Sequence, residues 1–133
     1  MGKKDPKWNN CVSCGNDISL LKLEKSSVIN DKATTLQQAL LPVVDHNICS
    51  QSDWWGSSAK ETMVCAGGES QHGDSGGPLN CEGRNGKWYV QGVTSFVNGQ
   101  GCNTPRKPMV FSCVATFIPW INEVWEAKNS KLH

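Results

Sequence analysis

The chain has 133 residues, of which 38% are hydrophobic and 13 are glycine, the size and make-up of one globular domain with a single core rather than of a disordered segment. Thirteen Lys and Arg against 12 Asp and Glu leave a formal net charge of +1 without long basic runs, which argues against a nucleic-acid partner. The longest apolar run, around Met109 to Ile121, is too short and too interrupted to span a bilayer.

The N-terminus, Met1 to Trp8, is positively charged but leads into no apolar segment, so it is not read as a signal peptide. Pro6 stands where a myristoylation motif carries Ser or Thr. Seven cysteines point to an oxidising compartment, and an odd count leaves at least one thiol unpaired. These two signals conflict, as they would in an edited version of a secreted protein.

Residues 1–15 are polar and punctuated, with Cys11-x-x-Cys14 as their chemistry. Such a pair is a redox motif, half a zinc site or a structural disulfide; no second C-x-x-C or His pair follows, so no metal site is assigned. Asn16 to Glu24 alternates well enough for a strand, with Asp17 a candidate turn residue at its entrance. Lys25 to Thr35 is a polar connection with an Asn30-Asp31 turn signal. Leu36 to Asp45 then reads as a strand, Asn47 to Trp55 as a short helix or loop with Trp54 and Trp55 as packing anchors, and Thr62 to Ala66 as a strand. Trp88 to Val97 and Met109 to Val114 are further strands, joined by a Gly, Asn and Pro-rich loop from Asn98 to Pro108. Apolar residues at 114, 117, 118, 121, 124 and 125 mark one helix face, with Thr116 as cap and Pro119 in the first turn.

One stretch carries more chemistry than the rest: Gly73-Asp74-Ser75-Gly76-Gly77-Pro78-Leu79. Three glycines around one serine allow a tight turn and close approach of another main chain. A hydroxyl needs a neighbouring base to attack and oriented N–H donors for the oxyanion that forms.

This heptad resembles the active-site signature of chymotrypsin-like serine proteases. Leu36 to Asp45, Trp54-Trp55-Gly56, Met63 to Gly68, Gly92 to Phe96 and Trp120-Ile121-Asn122 resemble the pancreatic elastase branch, as does Cys11 to Asp17 followed by Ile18 to Leu23. The resemblance implies a mainly β fold: the second antiparallel β-barrel of the chymotrypsin architecture, trypsin-like but incomplete, with a C-terminal α-helix. Residues 1–35 would be the remnant of the end of the first barrel and a linker, and residues 36–133 the second-barrel part. The family has a further cysteine-containing strand before Leu36 that this chain does not show. Ser75 would be the nucleophile, Asp17 the acid of the triad, and the N–H groups of Gly73 and Ser75 the oxyanion hole. Ser95, Phe96, Val97 and Met109 would line the substrate pocket, with Val97 and Met109 narrowing it toward small or medium apolar side chains. Cys49–Cys65 and Cys11–Cys14 would be disulfides, the first closing a loop worth roughly 3 kcal/mol. No cofactor is implied.

Several family features are missing. The family's Ala-Ala-His-Cys motif does not occur; the histidines are His46, His72 and His133, and none matches the triad base. In the family Asp74 pairs with an ammonium released by precursor cleavage, and no Ile/Val-Val-Gly-Gly start is present to supply it. Gln71 stands where the family has a cysteine, the family partners of Cys81 and Cys102 are absent, and Cys113 occupies a site where the family commonly has arginine. The implied reading is an elastase-like serine endopeptidase chain of impaired activity. The alternatives are an active endopeptidase with an unusual base, and a non-enzymatic binder of protease inhibitors. Partners would be protein or peptide substrates or inhibitors, with no nucleic acid and no membrane. The location would be extracellular by resemblance, or cytoplasmic if Met1 is the true start.

Overall fold

A computed structural model describes residues 2–22, 38–68, 76–100 and 104–129. The Lys25 to Thr35 connection lies outside them. Among the described residues there are two antiparallel sheets. The smaller pairs β1 (Gly2–Lys4) with β2 (Ser19–Leu21), Lys3 opposite Leu20. The larger has five strands in the order β3-β4-β7-β6-β5: β3 (Val43–Val44), β4 (Met63–Ala66), β5 (Pro78–Glu82), β6 (Trp88–Phe96) and β7 (Met109–Cys113). It is mainly β with a C-terminal helix, α2 (Val114–Asn129), and the sheet is open, with β3 and β5 at its edges.

β7 is the central strand, because four of its five residues, Met109 to Ser112, are buried. Val110 packs with Cys49, Ala59, Met63 and Cys65 on one face. Met109 and Phe111 pack with Ala66 and Leu79 on the other. The Cys49–Cys65 disulfide lies inside the first cluster, its residues 0% and 3% exposed. It ties β4 to a short helix, α1 (His46–Cys49), whose Asp45 cap accepts the Asn47 N–H at 2.8 Å.

Several elements depart from the sequence reading. The polar start of the chain forms β1, since its pairing partner rather than its own propensity makes it a strand. In the described part of the strand expected over 16–24, Ser19–Leu21 forms it, and residues 23 and 24 lie outside the described residues. In the described part of the strand expected over 36–45, Val43–Val44 pairs with β4, the Pro42 carbonyl accepts the Gly67 N–H at 2.8 Å, and Leu40 is 98% exposed; residues 36 and 37 lie outside the described residues. Pro78 and Leu79, read as the end of the nucleophile loop, begin an edge strand, Pro78–Glu82, with the proline at its first position, where no ladder donor is lost. Helix α2 starts at Val114, directly from β7, so Pro119 is interior and Thr116 is no cap. Burial of Phe117 at 5% exposure anchors that first turn and overrides the local proline signal.

Gly92 is required by close packing. A Cβ there would lie 2.8 Å from Phe111 Cβ and 3.4 Å from Leu79 Cβ, whereas one at Gly99 meets nothing within 4 Å. Gly92→Ala is expected to destabilise the chain by roughly 1–3 kcal/mol, as overpacking does. Gly99→Ala should leave the urea midpoint within error, and the pair of denaturation curves checks this.

Candidate active site

The acid end of the candidate site is assembled where the N-terminal segment meets the large sheet. Gly15 and Asn16 take left-handed conformations, φ 89° and 60°, turning the chain so that Asp17 faces β6 and β7. Gly15 is buried beside Thr62 and Met63, where a Cβ would make only ordinary contacts, so its positive φ rather than a lack of room is what favours glycine. Ser95 Oγ donates to Asp17 Oδ2 at 2.6 Å, and Ser112 Oγ donates to the Asp17 carbonyl at 2.8 Å. Both serines are buried, at 9% and 2% exposure, so each hydroxyl must find an acceptor inside the protein.

A β-bulge aims Ser95. Thr94 pairs with Phe111 and Phe96 with Val110, which leaves Ser95 as the extra residue of the strand. Thr94 fastens the end of the Gly-rich heptad. Its N–H and Oγ1 both donate to the Gly77 carbonyl, at 2.9 and 3.0 Å, and its carbonyl accepts from the Gly76 N–H at 3.0 Å. The two residues that follow Ser75 in sequence are therefore bound to the neighbour of Asp17's partner. Gly73 and Ser75 lie outside the described residues, as do Asp74, His72, His133 and Cys102. His46 opens α1.

The residues assigned to the pocket occupy distinct places. Ser95 bonds the acid, Phe96 stands edge-on to Trp55 with ring centroids 5.1 Å apart, Val97 is 39% exposed, and Met109 is buried in the second core cluster. Trp55 also secures the loop before β7. Its Nε1 donates to the Pro108 carbonyl at 2.8 Å, and Lys107 Nζ lies 5.2 Å from its ring centroid. Arg106 pairs with Asp53 beside them. Cys11–Cys14 is a disulfide, and Cys81 and Cys113 are free, half-buried thiols. Among the described residues no group of three His, Cys, Asp or Glu is arranged to hold a metal, and no helix is long and apolar enough to cross a membrane.

Ser112 and Thr94 were not singled out from sequence. The available signal was a hydroxyl in the middle of the otherwise apolar strand Met109 to Cys113, a position that demands an internal acceptor.

An open antiparallel sheet with a C-terminal helix, a seated aspartate and a Gly-rich serine heptad defines part of a serine-protease domain. A sequence model of the trypsin family matches residues 27–121, and the chain belongs to that family. Its similarities fall among elastase- and chymotrypsin-like members. Proproteinase E of Bos taurus is 48% identical over 155 residues, covering 89% of this chain and 61% of its own length. Human chymotrypsin-like elastase family member 3B is 46% identical over 155 residues, covering 89% and 57%. Chymotrypsin-C of Bos taurus is 57% identical over 95 residues, covering 68% and 35%. The chain thus spans about three fifths of the length of the first two. Their aligned spans of 155 positions exceed this chain's 133 residues, so these relatives carry internal stretches that it omits.

Ser95→Ala removes the donor to a half-buried carboxylate and is expected to cost about 1.5–3 kcal/mol; Ser112→Ala, which strips a buried carbonyl, about 1–3 kcal/mol. Urea denaturation of both variants measures this.

Proposed function

We propose that this polypeptide is an elastase-like serine endopeptidase chain that keeps an acid and a nucleophile but not the base between them. The family reaction is peptide-bond hydrolysis, in which a serine attacks the carbonyl carbon while an imidazole takes its proton and an aspartate orients that imidazole. The observation that carries the reading is the seat of Asp17. Its carboxylate rests on Ser95, and Gly76 and Gly77, directly after Ser75, bind the adjacent Thr94. Two members of a triad thus have their supports side by side on β6. The sequence offers no Ala-Ala-His-Cys motif to complete them, and His46 belongs to a helix packed against β4. Without its base such a unit loses on the order of 10⁶ in turnover.

In this reading residues 1–35 derive from the end of the first barrel and residues 36–133 form the second, which accords with their separation into two sheets. The two disulfides among the described residues favour an oxidising, extracellular setting. Partners are protein or peptide substrates, or inhibitors shaped like them. Because the chain spans about three fifths of its relatives, a base supplied from outside residues 1–133 is the second reading.

A fluorophosphonate probe decides between them. The purified 133-residue polypeptide, with Cys49–Cys65 confirmed by peptide mapping as a check of folding, is expected to show no labelling above the Ser75→Ala variant. Labelling that disappears in Ser75→Ala would restore the active-enzyme reading.

A further inference from the structure

The two disulfides among the described residues differ in burial and in span, and the difference assigns them different roles. Cys49 and Cys65 are sealed in the core and sixteen residues apart. Cys11 and Cys14 are three residues apart, Cys11 half-buried and Cys14 exposed. So short a ring constrains the unfolded chain least of all, which makes it a weak global staple. Its effect is local. The ring closes a single turn in which Cys14 N–H donates to the Cys11 carbonyl at 3.1 Å and Gly15 N–H to the Val12 carbonyl at 3.3 Å. That turn hands the chain to Gly15 and Asn16, both left-handed, and they hand it to Asp17. Asn10, on the other flank, is left-handed too, at φ 66°.

We propose that Cys11–Cys14 is a thiol-reducible latch that governs whether Asp17 stays seated on Ser95, and that Cys14 is the atom a small thiol of the glutathione class attacks. The thiolate bonds to the sulfur of Cys14, the exposed residue of the pair, and the Cys11–Cys14 bond breaks with its electron pair passing to Cys11. Ser13 Oγ, 3.6 Å from Cys11 Sγ, is placed to donate to the departing thiolate. A second small thiolate then attacks the mixed disulfide, leaving Cys14 as a thiolate and the two small thiols joined as an oxidised disulfide. Both cysteine thiolates take protons from water according to pH. The opened turn no longer fixes Gly15 and Asn16, and Asp17 is released from β6. The latch rests on the geometry of Asp17 and not on the catalytic reading, so a labelled Ser75 would leave it standing.

The test titrates the whole polypeptide with glutathione at fixed ratios to its disulfide form. Differential alkylation with mass spectrometry counts each bond, the ¹³C carboxyl signal of Asp17 reports its seat, and amide exchange is followed at Ile18, Asp5 and β4 to β7. Cys11–Cys14 should open at a glutathione concentration at least about tenfold below that for Cys49–Cys65. The Asp17 signal should then move to its position in oxidised Ser95→Ala. Exchange at Ile18 and at Asp5, whose N–H donates to the Ile18 carbonyl, should speed up about tenfold or more, while β4 to β7 stay protected. Cys11→Ser/Cys14→Ser should show the same state without reductant. The proposal is overturned if both disulfides open together, if the Asp17 signal stays put on reduction, or if β4 to β7 lose protection with it.

Discussion

A hydrogen bond of 2.6 Å between Ser95 and Asp17 joins residues 78 positions apart and holds the small N-terminal sheet to the large one. The Ser112 bond to the Asp17 carbonyl doubles the attachment. Only a backbone that passes close to both strands can receive both donors, and the left-handed pair Gly15 and Asn16 lets the chain make that approach. While the turn before it holds, a half-buried carboxylate with a buried hydroxyl for a partner stays seated, because its desertion would leave Ser95 without its acceptor. The site's acid end is therefore built by the same contacts that keep the two sheets together.

The large sheet supplies the rigid side of this arrangement. β7 runs through its middle, with Val110 in one apolar cluster and Met109 and Phe111 in the other. Gly92 lets Phe111 lie across β6 at a distance no other residue would tolerate. The bulge after Thr94 then turns two consecutive residues to different tasks, one tying down the chain after Ser75 and the next reaching Asp17. Position on β6, rather than proximity in sequence, is what relates the two halves of the heptad-and-aspartate pair.

Much of this was legible from sequence, and for identifiable reasons. Met63 to Ala66, Trp88 to Phe96 and Met109 to Cys113 are apolar or β-branched runs with partners on both sides, and each forms a strand where its pattern places it. Where the partner decides, pattern fails. Gly2 to Lys4 has no strand character, yet forms one against β2; Leu36 to Asp45 has it, yet in its described part only Val43 and Val44 join the ladder, while Leu41 packs on the core and the Pro42 carbonyl accepts from Gly67 without extending it. At the site, the serine heptad and Asp17 stood out through their family likeness, and Ser95 was noticed as a pocket residue. That its hydroxyl holds the aspartate depends on a bulge, and a register shift of one residue leaves no trace in composition or periodicity.

The surroundings of Trp55 give the molecule an optical property. Its indole is fixed by the Pro108 carbonyl, flanked by Phe96 and overlaid by Lys107, while Trp88 and Trp125 are each 67% exposed. Fluorescence from this chain therefore mixes a shielded emitter with ones open to solvent. Trp8, Trp54 and Trp120 are half-buried as well, so light that survives an aqueous quencher becomes a gauge of whether the loop at residues 107 and 108 stays fastened beside the site through its difference from that of Trp55→Phe.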